Sequence, residues 1–134
     1  MTRILADTSA YSAFFRGHPG VKRCFQQAEE IILTPVVLGE LRTGFLCGKH
    51  SRKNEQELGM FLSSARVVVL PVDAETSERY AAILSMLRTA GTPVPTNDVW
   101  IAATAMQHGL SVVTLDRHFA NIPQILREIL PIVH

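Results

Sequence analysis

Apolar residues fall into two kinds of run along the chain. RILA (3–6), IIL (31–33), VVVL (67–70) and VVTL (112–115) are short, continuous and rich in Val, Ile and Leu. Such runs suit strands of a parallel sheet covered on both faces, where neither side meets water. Between them the apolar positions recur at helical spacing. Residues 8–28 predict one or two helices interrupted near Gly17–Gly20. Thr34 and Pro35 supply a cap and a first helical position for a helix reaching about residue 47. Residues 48–54 read as a loop or a helix start, and 55–64 as helix. Asp73 opens another helix with Ile83, Leu84 and Leu87 on its inner side, ending before Gly91. After the Pro-rich TPVPTND, Thr96 is expected to cap a helix that stops at Gly109, a glycine placed to follow a helix end. Residues 124–134 stay open between a helix over Ile125–Leu130 and an edge strand over LPIVH.

Strand, helices, strand, helices, strand, helix, helix, strand is the resulting order. It predicts an α/β fold, a three-layer α/β/α sandwich around a central parallel sheet. The 134 residues suit one domain, 1–134, with no linker or repeat.

Composition narrows the function classes. Hydrophobic residues at 47% and charged residues at 19% are a globular balance. Formal net charge is +1, so a nucleic-acid binder must concentrate its positive charge locally. Arg42, Lys49, His50, Arg52 and Lys53 do lie close together, and Arg16, His18, Lys22 and Arg23 form a thinner group. A solvated helix end and loop accounts for the first group equally well. The opening MTRILADTSAY lacks the charged lead, apolar stretch and small-residue cleavage site of a secretory leader. No apolar run approaches the roughly 18 to 20 residues of a membrane span. Cys24 and Cys47 stand far apart, without His or Cys at metal-ligand spacing. They are expected as buried free thiols in a reducing, cytoplasmic setting.

The carboxylates are more informative. Asp7 follows the first apolar run directly and Asp116 follows the last strong one. In a parallel sheet both therefore stand at strand carboxyl ends, outside which ligands bind in open α/β sheets. Asp98 lies in the first turn of its helix, where Asp is favourable in any case, and Asp73 reads the same way. Glu40 sits among Val36, Val37, Leu38 and Leu41, where an unpaired charge is costly. It is either a ligand or the partner of Arg42, Arg66 or another basic residue. Two carboxylates ~4 Å apart repel by about 4 kcal/mol at an effective dielectric near 20. Four together therefore call for protons or a cation. Oxygen donors without a convincing His or Cys favour Mg²⁺ or Mn²⁺ over Zn²⁺. The histidines share no motif spacing; His118 beside Asp116 reads as a surface residue that could touch substrate.

ILADTSAY (4–11), LGELRTG (38–44) and NDVWIAATAMQHGLSVVTLDRHFANI (97–122) together resemble the PIN-domain family, in particular VapC-type toxins of toxin–antitoxin systems. The resemblance implies a metal-dependent endoribonuclease in which Asp7, Glu40, Asp98 and Asp116 bind the divalent ions. Thr8, Ser9 and Thr114 are implied helpers that position a water or a carboxylate. Asn97 either orients Asp98 or contributes to the helix cap. Where some relatives carry a further acidic residue beyond the last motif, this chain has Asn121. In-line attack by hydroxide would leave a 5′-phosphate and a 3′-hydroxyl, as in related enzymes. RNA would lie on Arg42, Lys49, Arg52 and Lys53. The resemblance further implies a homodimer and a cognate antitoxin, with Tyr11, Phe14 and Phe15 as contact candidates unless they are core. A haloacid-dehalogenase-like phosphatase would want a second Asp where this chain has Ser9, and a Lys near the third strand. A non-catalytic scaffold would have no need of four intact acidic positions.

Overall fold

The computed structural model describes residues 2–133. Five strands form one parallel sheet: β1 (Arg3–Ala6), β2 (Glu30–Leu33), β3 (Val67–Val69), β4 (Ser111–Thr114) and β5 (Leu126–Ile129), in the order β3-β2-β1-β4-β5. The helices are α1 (Thr8–Phe15), α2 (Pro19–Gln27), α3 (Pro35–Cys47), α4 (Ser51–Leu62), α5 (Ala74–Ala90) and α6 (Thr96–His108). Successive residues of β1, β2 and β4 are all buried (Ile4, Leu5, Ala6; Ile31, Ile32, Leu33; Val112, Val113, Thr114). Burial of neighbours that point to opposite faces means that both faces of the sheet are covered.

Strand order runs outward from β1 to β3 on one side and continues through β4 and β5 on the other. The reversal lies between β1 and β4, and a crevice outside the carboxyl ends is expected there. Register pairs Ala6 with Val113, so the residues after each strand, Asp7 and Thr114–Asp116, emerge side by side.

Local chemistry explains most helix bounds. The Thr34 hydroxyl accepts from Val37 N at the start of α3. Asp73 and Thr76 form a reciprocal capping box at α5, so Asp73 is a structural cap. Gly91 and Gly109 close α5 and α6 in the left-handed region, at φ +69° and +65°, which glycine adopts without strain. His18, grouped by sequence with a basic patch, is buried instead. Its Nδ1 accepts from Gly20 N and Val21 N, and its Nε2 donates to Pro131 O at 2.7 Å. That bond ties the end of the chain to the start of α2.

Some open readings are resolved and other expectations corrected. Helix α4 begins at Ser51, within the stretch left open as loop or helix. The cap position of α6 is Pro95, with no side-chain cap bond; Thr96 is its first helical residue, and Asn97 is turned elsewhere. The last strand is Leu126–Ile129, neither a helix nor a strand over LPIV, and His134 lies outside the described residues. Tyr11 is core and Phe14 half-buried, while Phe15 reaches the surface. Both thiols are free, but Cys47, the last residue of α3, is exposed and Cys24, on α2, is half-buried. Burial and the nearby Glu128 carboxylate push the Cys24 thiol up to about 11. Thiolate is the reactive form, so iodoacetamide at pH 8 should label Cys47 fast and Cys24 slowly, as peptide mass mapping over time will read.

Candidate active site

Asp7 sits at the N-terminus of α1, immediately beyond β1, and is buried. Its Oδ1 accepts from Ala10 N (2.8 Å) and Ser9 Oγ (2.7 Å), and its Oδ2 from Thr114 Oγ1 (2.5 Å). The Thr114 hydroxyl in turn accepts from Asp116 N (2.8 Å), and Ser9 Oγ from Leu115 N (3.0 Å). Two hydroxyls thus stitch the end of β1 to the end of β4 through one carboxylate.

Glu40 reaches the same place from α3. Its Oε1 accepts from Thr8 Oγ1 at 2.6 Å and its Oε2 from Asn97 Nδ2 at 3.4 Å. Neither basic candidate pairs with it. Arg42 forms a two-contact bridge to Glu55 (2.9 and 3.3 Å), and Arg66 donates to the carbonyls of Phe25 and Ala28. Asn97 therefore links α6 to α3 rather than capping its own helix.

Asp98 comes from the first turn of α6, and Asp116 opens the short 3₁₀ turn Arg117–Asn121. Asp98 is only 9% exposed, yet the one basic side chain against its carboxylate, among the described residues, is His118, with Nδ1 at 3.5 Å from Oδ2. Burial, then the charges of Asp116, Asp7 and Glu40, push the Asp98 carboxyl up to about 7, with His118 easing it. Asp7 is also raised, by burial first and Asp116 last, against the hydrogen bonds of Thr114, Ala10 and Ser9. Asp98 thus stands in the fields of Asp116, Asp7 and Glu40, and of these Asp116 is the one whose oxygen joins it in a close donor group among the described residues.

The sequence did not single out His118 as part of this cluster. Its ring lies half-exposed, with Nδ1 2.9 Å from Asp116 Oδ1, and one donor atom each from Asp98, Asp116 and His118 falls within 4.8 Å of the others. The only available signal was its position two residues past Asp116. The donor set fits a divalent cation: a buried carboxylate short of donors, repelled by three others, at the switch point of the sheet. Open clefts flank it. One, of about 570 Å³, is lined by Pro35, Gly39, Glu40, Thr43 and Asn97, and the other, of about 710 Å³, by Leu115, Asp116, Arg117 and residues 129–132. Lys49, Arg52 and Lys53 are exposed, with no ion pair among the described residues.

A PIN domain model matches residues 4–125. The chain is 39% identical to Ribonuclease VapC4 of Mycobacterium tuberculosis over 90 residues, 67% of this chain and 69% of that one. It is 36% identical to Ribonuclease VapC5 of the same organism over 94 residues, 70% of each. Among solved structures, DNA-bound VapBC from Salmonella typhimurium aligns with a TM-score of 0.84 at 27% identity, covering 96% of this chain and 98% of the matched one.

Proposed function

Because the chain belongs to the PIN-domain family, we propose that it is an endoribonuclease toxin whose Asp7, Glu40, Asp98 and Asp116 hold Mg²⁺ or Mn²⁺ for the hydrolysis of RNA phosphodiesters. The supporting observation is the convergence of four carboxylates, supplied by distant segments, at the carboxyl ends of β1 and β4. A divalent ion bound there lowers the pKa of a water and neutralises charge building on the phosphate.

The chain's own groups prepare that chemistry. Thr114 and Ser9 fix both oxygens of Asp7, and Thr8 and Asn97 fix both oxygens of Glu40, so these carboxylates keep their geometry without having to be ordered by substrate. Asp98 and Asp116 carry the charge that a cation must balance. An RNA strand can pass between the two open clefts, its phosphates meeting Lys49, Arg52 and Lys53, contacts that hold a strand without reading its sequence. Arg42 can join them, because an exposed pair such as Arg42–Glu55 is worth only about 0–1 kcal/mol and yields to a phosphate. The toxin's partner is a cognate antitoxin; a basic side chain from it reaching the acidic crevice would be electrostatically complementary. Exposed apolar residues remain for such contacts, Phe15, Leu46 and Met60 among them. Residues 1–134 act as one nuclease domain, as a homodimer. Among the described residues no helix is long and apolar enough to cross a membrane.

Purified protein incubated with total RNA and Mg²⁺ or Mn²⁺ should give discrete fragments bearing 5′-phosphates. Chelation should stop cleavage and added metal restore it, and Asp7→Asn should fold but not cut. Intact RNA in the presence of either metal would point to a scaffold, and phosphate release from small monoesters with RNA left whole to a phosphatase.

A further inference from the structure

We infer that His118 is a direct ligand, through Nδ1, of the divalent ion held by Asp98 and Asp116, and that it biases the site toward Mn²⁺ over Mg²⁺. Its premise is the metal site proposed above; the imidazole and the metal preference go beyond it.

Three observations carry the inference. Nδ1 stands 2.9 Å from Asp116 Oδ1 and 3.5 Å from Asp98 Oδ2. Donors at right angles around an ion with ligand distances of ~2.1 Å stand about 3 Å apart, so Nδ1 already stands close to the spacing of neighbouring ligands from both carboxylates. Asp98 is buried and accepts no side-chain hydrogen bond among the described residues, which leaves its oxygens available. Asp7 and Glu40, by contrast, already accept hydrogen bonds on both oxygens. The half of the site with fewer claimed carboxylate oxygens, Asp116 Oδ1 alone accepting from His118 N, is therefore the half that contains the imidazole.

The turn that carries His118 is built to hold it there. His118 N donates to Asp116 Oδ1 at 2.9 Å, and Phe119, the next residue, is fully buried. The backbone that carries the ring is thus anchored by the hydrogen-bonded turn and by the buried neighbour. A nitrogen donor matters for metal choice. Mg²⁺ prefers oxygen and parts with its waters reluctantly, whereas affinity for nitrogen donors rises along the first-row series that begins with Mn²⁺.

The test is Mn²⁺ and Mg²⁺ binding to the full chain, by calorimetry, with pulsed electron paramagnetic resonance of bound Mn²⁺ to detect a directly bonded nitrogen. Wild type should show that nitrogen coupling, and His118→Ala should lose it. In the same variant Mn²⁺ affinity should fall about tenfold, and Mg²⁺ affinity much less. Mn²⁺ binding that depends on Asp98 but shows no bonded nitrogen, or a coupling that survives in His118→Ala, would overturn the inference and leave the carboxylate site intact. Tighter binding of both metals in His118→Ala would also overturn it, showing the ring to compete with the ion. Mn²⁺ binding unaffected by Asp98→Asn would remove the metal site itself, and this inference with it.

Discussion

Asp98→Asn will lower RNA hydrolysis by roughly 10²–10³-fold, on the scale of a single preorganised charged group, while making the metal-free protein more stable. The two effects share one cause. The Asp98 carboxyl is raised to about 7 in the fold by burial and by Asp116, Asp7 and Glu40, against about 3.9 for an unperturbed Asp. Above pH 7 the folded state must hold this carboxylate charged at a cost that the unfolded state does not bear. That cost fades as pH falls from about 7 toward 4. Asparagine removes the charge and keeps the shape, so in chelator at pH 8 the variant should gain about 2 kcal/mol, half of the roughly 4 kcal/mol that the full rise represents, because the buried amide is itself left short of partners. For a chain of this size the gain is roughly 5–8 °C in melting temperature. The gain should shrink as pH falls toward 5. With saturating Mn²⁺ the order should reverse, because ligand binding stabilises only the protein that binds it. Thermal denaturation at pH 8 and pH 5, with and without metal, reads all of this. Equal melting curves at every pH would mean that neither burial nor the neighbouring carboxylates burden the Asp98 charge.

Phe119→Ala will cost about 3–5 kcal/mol of stability, the range for emptying a buried aromatic site. Phe119 is fully buried on the 3₁₀ turn that carries Asp116 and His118, and that turn packs against α6 and β5. Against a typical total of about 5–15 kcal/mol this is a large share. The denaturant midpoint should drop with the slope unchanged. Activity at low temperature, where the variant still folds, should fall too, because the cavity lies beneath the loop that aims both side chains. A drop in stability with normal cutting at 10 °C would separate the turn from the site.

How much of this could be read from the chain differs by residue. Asp7 and Asp116 were legible because they end apolar runs, and the end of a parallel strand is a place in space as well as in sequence. Asp98 and Glu40 were half legible. A charge among apolar neighbours signals a partner, but whether that partner is an arginine or another carboxylate depends on which helices meet, and Arg42 in fact turned to Glu55. Asn97 looked like a cap because caps are local; its bond to Glu40 spans 57 positions. His118 escaped because an exposed-looking side chain beside a turn carries no periodic signal. The last strand was ambiguous for the opposite reason. β5 is an edge with mostly exposed residues, so the continuous apolar run that betrays inner strands is missing.

Asp7 has two jobs on one side chain under the proposed reading, since the oxygen that caps α1 belongs to a carboxylate of the acidic crevice. Asparagine is about as good at the first job and brings no charge to the second. One amide-for-acid exchange is therefore expected to stop cutting while the folded surface that a partner would meet stays in place. Disarming the protein and dismantling it are separate evolutionary steps.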